Sequence, residues 1–431
     1  MPLPARVRRG YALGSIATGT FGTVPGLLLL PYLTDSLGVA AAVAGLIVFV
    51  PKAWDVVLNP IAGRISDRSR SPLGRRRPFL LRAGIALAIT FALIFAGPSA
   101  PPALAATWVV VAFLACATAY AFFQVPFNAM PAEITPDAGE RTRMMTWRVA
   151  VIAVAILLSG ATAPLIVSSL GYAAMGVYVG MLLLVGTVGA YVTTRGVTED
   201  PTDAAEGTLR EQLRFALAVA DFRRLLIAFV AQALGVGALL AGVAYVARYL
   251  LGDPATASVL FAAFVGPGLL VSPLWGRWAA GAGKRAAYLT ATVVLVAGTL
   301  LLWTATGDAT WPAYVAAAVA GIGYAGTQLC PLAMLPDVAA EATRASGANR
   351  VGVFTGLWTA GETLGLALGP GLYGLVLSIG GYEASTSEGT VQSPAALTAI
   401  AVGFTVVPAV LVALSLVPLR RYSLDERTTR A

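Results

Sequence analysis

The stretch Lys52–Arg82, KAWDVVLNPIAGRISDRSRSPLGRRRPFLLR, decides how the chain is read. Its first half is apolar enough to lie in a bilayer, yet it carries Lys52, Asp55 and Asn59. Positions i, i+3 and i+7 share one face of an α-helix, so these three make a polar stripe along an otherwise greasy rod. The second half sets Arg64, Arg68, Arg70, Arg75, Arg76 and Arg77 around a single acid, Asp67. The stretch predicts a membrane helix that leaves the bilayer into a basic hairpin.

Composition extends that reading along all 431 residues, of which 58% are hydrophobic and only 12% charged. A soluble domain of this length needs far more charge to cover its surface. Apolar stretches of roughly 20 residues recur, each long enough for a ~30 Å hydrocarbon core. Backbone groups cannot stay unpaired in lipid, which leaves helices or a closed barrel. The stretches are continuous rather than alternating, which selects helices. The fold class expected is all-α and integral to the membrane. With no histidine, no nucleophile–base pair and no soluble output domain, an enzyme or a sensor has little to stand on. Cys116 and Cys330 fall inside apolar stretches and read as packed thiols rather than a disulfide or metal pair. The first apolar segment reads as a retained helix rather than a cleaved leader.

Twelve spans are expected, at about 10–33, 39–63, 79–97, 104–129, 144–168, 172–194, 223–251, 256–279, 286–305, 311–335, 350–377 and 395–418. All but two of the 29 Lys and Arg, namely Lys52 and Arg248, lie in or beside alternate connections and the two tails. The positive-inside rule then places both termini in the cytoplasm and the protein in the cell membrane as a multi-pass chain. The net charge of +8 is therefore a topology signal, and no nucleic-acid partner is expected. The polar segment 196–222 is read as a cytoplasmic linker between an N-terminal six-helix bundle (1–195) and a C-terminal bundle with its tail (223–431). Its later part, LREQLRFALAVADFRRLL, reads either as an amphipathic surface helix or as a plain linker.

The two halves resemble each other. Span 4 ends Gln124-Val-Pro-Phe-Asn-Ala-Met-Pro131-Ala-Glu133, and span 10 ends Gln328-Leu-Cys-Pro-Leu-Ala-Met-Leu-Pro336-Asp337. Span 2 exits through Gly63-Arg64 to Gly74-Arg75-Arg76, as span 8 exits through Gly276-Arg277 to Gly283-Lys284-Arg285. Arg148 opens span 5 as Arg350 opens span 11. A duplicated six-helix unit is the economical account, and repeated bundles flanking a midplane site are the architecture of secondary transporters.

At Gly63-Arg-Ile-Ser-Asp67-Arg68 and Gly74-Arg75-Arg76-Arg77 the chain resembles the hairpin between helices 2 and 3 of the major facilitator superfamily. Trp54-Asp55-x-x-x-Asn59-Pro60, Tyr32-Leu-Thr-Asp35, Pro126-Phe127 and Gly380-Gly381-Tyr382 resemble, more narrowly, its glycoside–pentoside–hexuronide:cation symporters, the melibiose-permease-like family. The Gly-Arg-Arg-Arg-Pro-Phe run also looks like sucrose carriers. The resemblance implies a monomeric carrier with acidic residues on helices 1, 2 and 4 for sugar and for Na⁺ or H⁺. Asp55 is kept, and Lys52 and Arg148 stand at basic positions. Asn59, Gly19 and Gln124 stand where the family has acids, and Thr363, beside Glu362, where it has a lysine.

The candidate site residues each admit two readings. Asp55 is either a cation or proton site or the partner of Lys52 in an ion pair. Pro60 cannot donate to the carbonyl of Val56, so a free backbone oxygen lies near Asp55 and Asn59, a possible Na⁺ ligand set. Gln124 and Asn128 on span 4, and Tyr324 and Gln328 on span 10, either contact solute hydroxyls or bond between helices. Glu362 either carries a proton or pairs with Arg148 or another base, while Trp358, one turn earlier, is placed to stack on a sugar ring. Asp67, Arg68, Arg75 and Arg76 either latch the cytoplasmic side or only set topology. The function expected is secondary active transport of a small polar solute, a sugar or glycoside, by alternating access coupled to Na⁺ or H⁺. The rival is an uncoupled carrier or an exporter of a less polar metabolite.

Overall fold

A computed structural model of the protein describes residues 3–69, 71, 76–135, 137–195, 209–306, 310–346, 351–384, 386 and 391–424. Every regular element among them is helical, as the hydropathy demands. Eleven of the helices are long and apolar enough to cross a membrane. One of these, α6 (Ala138–Thr193), has 56 residues. That is about 84 Å at 1.5 Å per residue, far beyond one crossing. Its backbone breaks at Gly171, with φ 84° and ψ 174°, where the sequence predicts the 169–171 connection. Only glycine adopts that conformation without strain.

The chain divides into two compact units, Met1–Asp203 with Glu383–Thr390, and Ala204–Tyr382 with Val391–Ala431. In the first, α1 (Ala5–Ala12) leads into α2 (Gly14–Pro31), followed by α3 (Ala41–Asp67), α4 (Arg77–Ile94), α5 (Pro102–Ile134) and α6. Helix α2 packs on α6, α3 and α4 both pack on α5, and α4 also packs on α6. The second unit holds α7 (Leu209–Ala218), α8 (Ala220–Tyr245), α9 (Thr256–Ala282), α10 (Lys284–Leu301), α11 (Trp311–Ser346) and α12 (Val351–Ile379). Three short helices, α13 (Pro394–Phe404), α14 (Val406–Leu414) and α15 (Leu416–Arg420), complete it. Its packing repeats that of the first: α8 on α12, α9 and α10 on α11, and α10 on α14.

Local details repeat as well. Helix α2 ends in a π-helical turn at Tyr32–Ser36 and α8 in one at Val246–Leu250. Each is followed by a positive-φ glycine, Gly38 (67°) and Gly252 (75°). Gly171 and Gly381 (73°) reverse the chain between the last two spans of each unit. Close packing within the second unit depends on glycine too, since a Cβ at Gly321 of α11 would run into the backbone carbonyl of Phe264 in α9.

Of the two readings of the linker's later part the helical one is taken up, and several span ends differ from the expected bounds, α11 running on to Ser346. The linker residues 209–218 form α7, whose Phe215 meets Phe354 of α12 edge-on at 6.1 Å; residues 196–208 lie outside the described ones. Helix α8 starts at Ala220, three residues before the expected 223. The last span is broken after Phe404 and again after Leu414. Those are the residues four before Pro408 and Pro418, whose rings remove the N–H that each carbonyl would bond. Cys116 and Cys330 are free and buried.

Candidate functional site

In the N-terminal unit the polar stripe of α3 has the expected spacing but not the expected pairing. The Lys52 ammonium lies 4.3 Å from the centroid of the Phe21 ring on α2. Phe21 is in turn stacked on Tyr120 of α5 at 4.0 Å. Lys52 and Asp55 form no ion pair among the described residues, although each feels the other's charge. Asp55 is 3% exposed, and its Oδ1 has no hydrogen-bond partner; the same is true of Asn59 Oδ1. Trp54, beside Asp55, donates from Nε1 to Thr118 Oγ1 at 3.2 Å and so fixes the rotation of α3 against α5. With Pro60 inside the helix, the Val56 carbonyl lacks its helical donor. Three oxygens with unused lone pairs therefore belong to a single turn and a half of membrane helix.

The second cluster joins α5 to α6. Arg148 donates to Asn128 Oδ1 at 2.6 Å, and its guanidinium sits 5.2 Å from the Phe127 ring. Gln124, one turn before Asn128, is half-buried and has no partner among the described residues. Tyr11, absent from the sequence-level candidates, completes the cluster. Its hydroxyl donates to the Phe127 carbonyl at 2.9 Å, and its ring stacks on Phe127 at 4.5 Å. Pro131 explains that bond, because the proline four residues on cannot donate to Phe127. The Tyr11 phenol is also within hydrogen-bonding reach of Arg148. Arg148 is thus held by an amide, a ring and a phenol, and has no acidic partner among the described residues.

In the C-terminal unit, Tyr324 and Gln328 lie one turn apart on α11, phenol within reach of amide, with the Glu362 carboxylate close enough for Tyr324 to feel its charge. Phe264 of α9 stacks on Tyr324 at 5.2 Å. Glu362, half-buried on α12, has no basic partner among the described residues. Trp358 is a correction: it is 2% exposed and stacked on Phe229 at 4.1 Å, so its ring cannot take a sugar. The i, i+4 spacing to Glu362 placed it on the right stripe, but the core of the unit claims its face.

The basic hairpin is also engaged differently from expectation. Arg76 is 5% exposed and Glu133, at the end of α5, 3% exposed. Arg76 Nε donates to both Glu133 oxygens at 3.0 and 3.1 Å, its NH2 to Oε1, and its NH1 to Ser66 Oγ at 2.6 Å. Arg77 donates to the Tyr191 carbonyl at 2.9 Å. The other unit repeats both contacts. Lys284 pairs with Asp337 in the last third of α11, and Arg285 donates to the Arg420 carbonyl. The repeat register is therefore Arg76-Arg77 against Lys284-Arg285, one residue later than the Arg75-Arg76 alignment suggests. Arg68 is exposed; Arg75 and the Asp67 side chain lie outside the described residues.

Comparison with known proteins places this geometry. Residues 10–426 match the family model described as MFS/sugar transport protein. The chain is 28% identical over 434 residues to the putative glycoside/cation symporter YagG of Escherichia coli (strain K12), covering 98% of this chain and 92% of that protein. It is 23% identical to the isoprimeverose transporter of Lactiplantibacillus pentosus, covering 98% and 90%. Among solved structures, an inward-facing bacterial homolog of the human lysosomal transporter Spinster superposes with a TM-score of 0.68 at 17% identity, covering 99% and 98%, which speaks to the fold alone.

Proposed function

This chain belongs to the MFS/sugar transport protein family, and from that premise we propose that it carries a sugar or glycoside across the cell membrane by alternating access, driven by a cation. The observation that carries the reading is the carboxylate of Asp55, buried in a membrane helix with an unbonded oxygen while Lys52 is occupied by Phe21. An ionised carboxylate mid-membrane costs about 2.5–3.5 kcal/mol on insertion scales. A proton or Na⁺ arriving at Asp55 removes that cost, and the Asn59 oxygen and the Val56 carbonyl add neutral ligands on the same helix. Arg148, Asn128 and Gln124 supply a cation, an acceptor and two-way amides suited to hydroxyl and acidic oxygens of a sugar. Tyr324 and Gln328 offer the corresponding neutral set in the second unit. Relatives named for glycosides and isoprimeverose support this class of solute.

Arg76 and Glu133 brace the end of the first unit where the basic hairpin meets α5, and the basic connections orient that end toward the cytoplasm. The test is uptake into proteoliposomes of a glycoside panel under an imposed Na⁺ or pH gradient, with wild type and Asp55→Asn. Accumulation above equilibrium in wild type, and only downhill entry in Asp55→Asn, is the expected pair. Gradient-driven accumulation that survives in Asp55→Asn removes Asp55 from coupling, and downhill flux alone in both proteins establishes the uncoupled carrier instead.

A further inference from the structure

A groove of about 660 Å³ opens on the first unit between α4 and α5. Its walls follow from helical spacing. Phe79, Arg82, Ala86 and Thr90 form one stripe of α4, and Ala115, Thr118 and Phe122 the facing stripe of α5. Alanines on both sides leave the slot open, while Phe79 and Phe122 frame it with near-parallel rings 6.4 Å apart. Its polarity is graded. Ser69, Ser71 and Arg82 lie at the end beside the basic hairpin. Deeper in, the hydroxyls of Thr90 and Thr118 are spent on their own helix carbonyls at 2.7 and 2.8 Å, and the remaining lining there is alanine and phenylalanine. The flanking residues Ile85 and Ile89 are 39% and 55% exposed, a surface made for hydrocarbon. Arg82 is exposed and has no hydrogen bond or ion pair among the described residues. It sits five residues into α4, about 7.5 Å along the axis from the end that meets the basic hairpin.

We propose that this groove is a binding site for one anionic phospholipid, its phosphate on Arg82 and the top of one acyl chain in the slot toward Thr90. Arg82 to Thr90 is about 12 Å of helix, room for the first third to half of an acyl chain. A guanidinium with no acidic partner among the described residues takes a phosphate bidentately. A protein partner would need backbone or polar complementarity that the apolar end does not offer. The orientation assigned above decides only that the lipid comes from the cytoplasmic leaflet. The site itself stands or falls independently of coupling at Asp55.

The experiment is native mass spectrometry of the purified chain titrated with dioleoyl phosphatidylglycerol and dioleoyl phosphatidylethanolamine, with sn-glycerol 3-phosphate as soluble competitor. Wild type retains one phosphatidylglycerol per chain in preference to phosphatidylethanolamine. Arg82→Gln weakens phosphatidylglycerol about fivefold and erases the preference. Ala115→Leu, which fills the slot at an exposed position and leaves Arg82 in place, weakens both lipids. An Arg82→Gln protein that is monodisperse and keeps the wild-type preference overturns the proposal. So does an Ala115→Leu protein with unchanged binding of both lipids, or displacement by glycerol 3-phosphate, which would assign Arg82 to a soluble phosphate.

Discussion

Glu133→Gln tests how burial sets the worth of a contact that the two units share. Arg76 and Glu133 have side chains 6% and 2% exposed, and Arg76 spends its donors on both carboxylate oxygens and on Ser66. Removing the carboxylate charge leaves a guanidinium buried without compensation, which costs about 3–5 kcal/mol. The repeated pair, Lys284 and Asp337, has side chains 34% and 47% exposed. Water solvates whatever Asp337→Asn leaves behind, so that change costs less than about 1 kcal/mol. Replacing both N-terminal partners by apolar groups, as Arg76→Met with Glu133→Leu, leaves no orphaned charge and restores most of the loss. The assay is thermal unfolding followed with a thiol-reactive fluorophore, for which the buried free Cys116 and Cys330 are built-in reporters. Glu133→Gln should unfold at a clearly lower temperature than Asp337→Asn, with the double variant near wild type. Equal shifts for the two single variants, or a double variant as unstable as Glu133→Gln, would refute the argument from desolvation.

Tyr11→Phe removes the donor to the Phe127 carbonyl and strands a buried acceptor, a loss of about 1–3 kcal/mol. In a Pro131→Ala background the new N–H bonds that carbonyl, so the same change should cost markedly less in the same unfolding assay; equal losses in both backgrounds would exclude Pro131 as the cause. Gly321→Ala puts a Cβ into the Phe264 carbonyl, and α9 and α11 must separate to admit it. Overpacking of this kind costs about 1–3 kcal/mol, and a Gly321→Ala protein as stable as wild type would show that the helices approach less closely than described.

What the sequence makes legible here is whatever runs along a helix axis. Continuous hydropathy locates the spans, and the alternation of Lys and Arg between connections separates their two sides. Rotation about the axis is decided by packing, and there the reading slips. Trp358 and Glu362 share a stripe, yet Phe229 takes the tryptophan into the core. The run Gly74-Arg75-Arg76-Arg77 offers two ways to align two basic residues, and only the phase of α4 selects Arg76 for Glu133 and Arg77 for Tyr191. Lys52 and Asp55 are one turn apart, close enough to pair, but Phe21 offers the ammonium another face. Some of what was missed did leave a signal. Pro131, Pro408 and Pro418 each announce a carbonyl without a donor. Tracing those carbonyls leads to Tyr11 in the first case and to the broken last span in the others.

The charges in and beside the spans include two kinds. Arg76 and Glu133 are buried and spend their charge on each other, so they stabilise the packing of α4 on α5 and have nothing left over for a solute. Lys52, Asp55, Arg148 and Glu362 lie in membrane helices with no ion pair among the described residues. Lys52 and Asp55 feel each other's charge without closing into an ion pair, and each of the four groups carries an insertion cost of about 2.5–3.5 kcal/mol. In the proposed transport, two of these groups take partners that come and go, a cation at Asp55 and the electronegative oxygens of a solute at Arg148. A carrier needs binding that is favourable enough to load and weak enough to release. An unpaired charge at a site that opens to water in turn on each side supplies that balance, because solvation competes with the ligand each time the site opens. The same reasoning separates Arg82, which is exposed and has no partner among the described residues, and for which the proposed anion is a lipid phosphate.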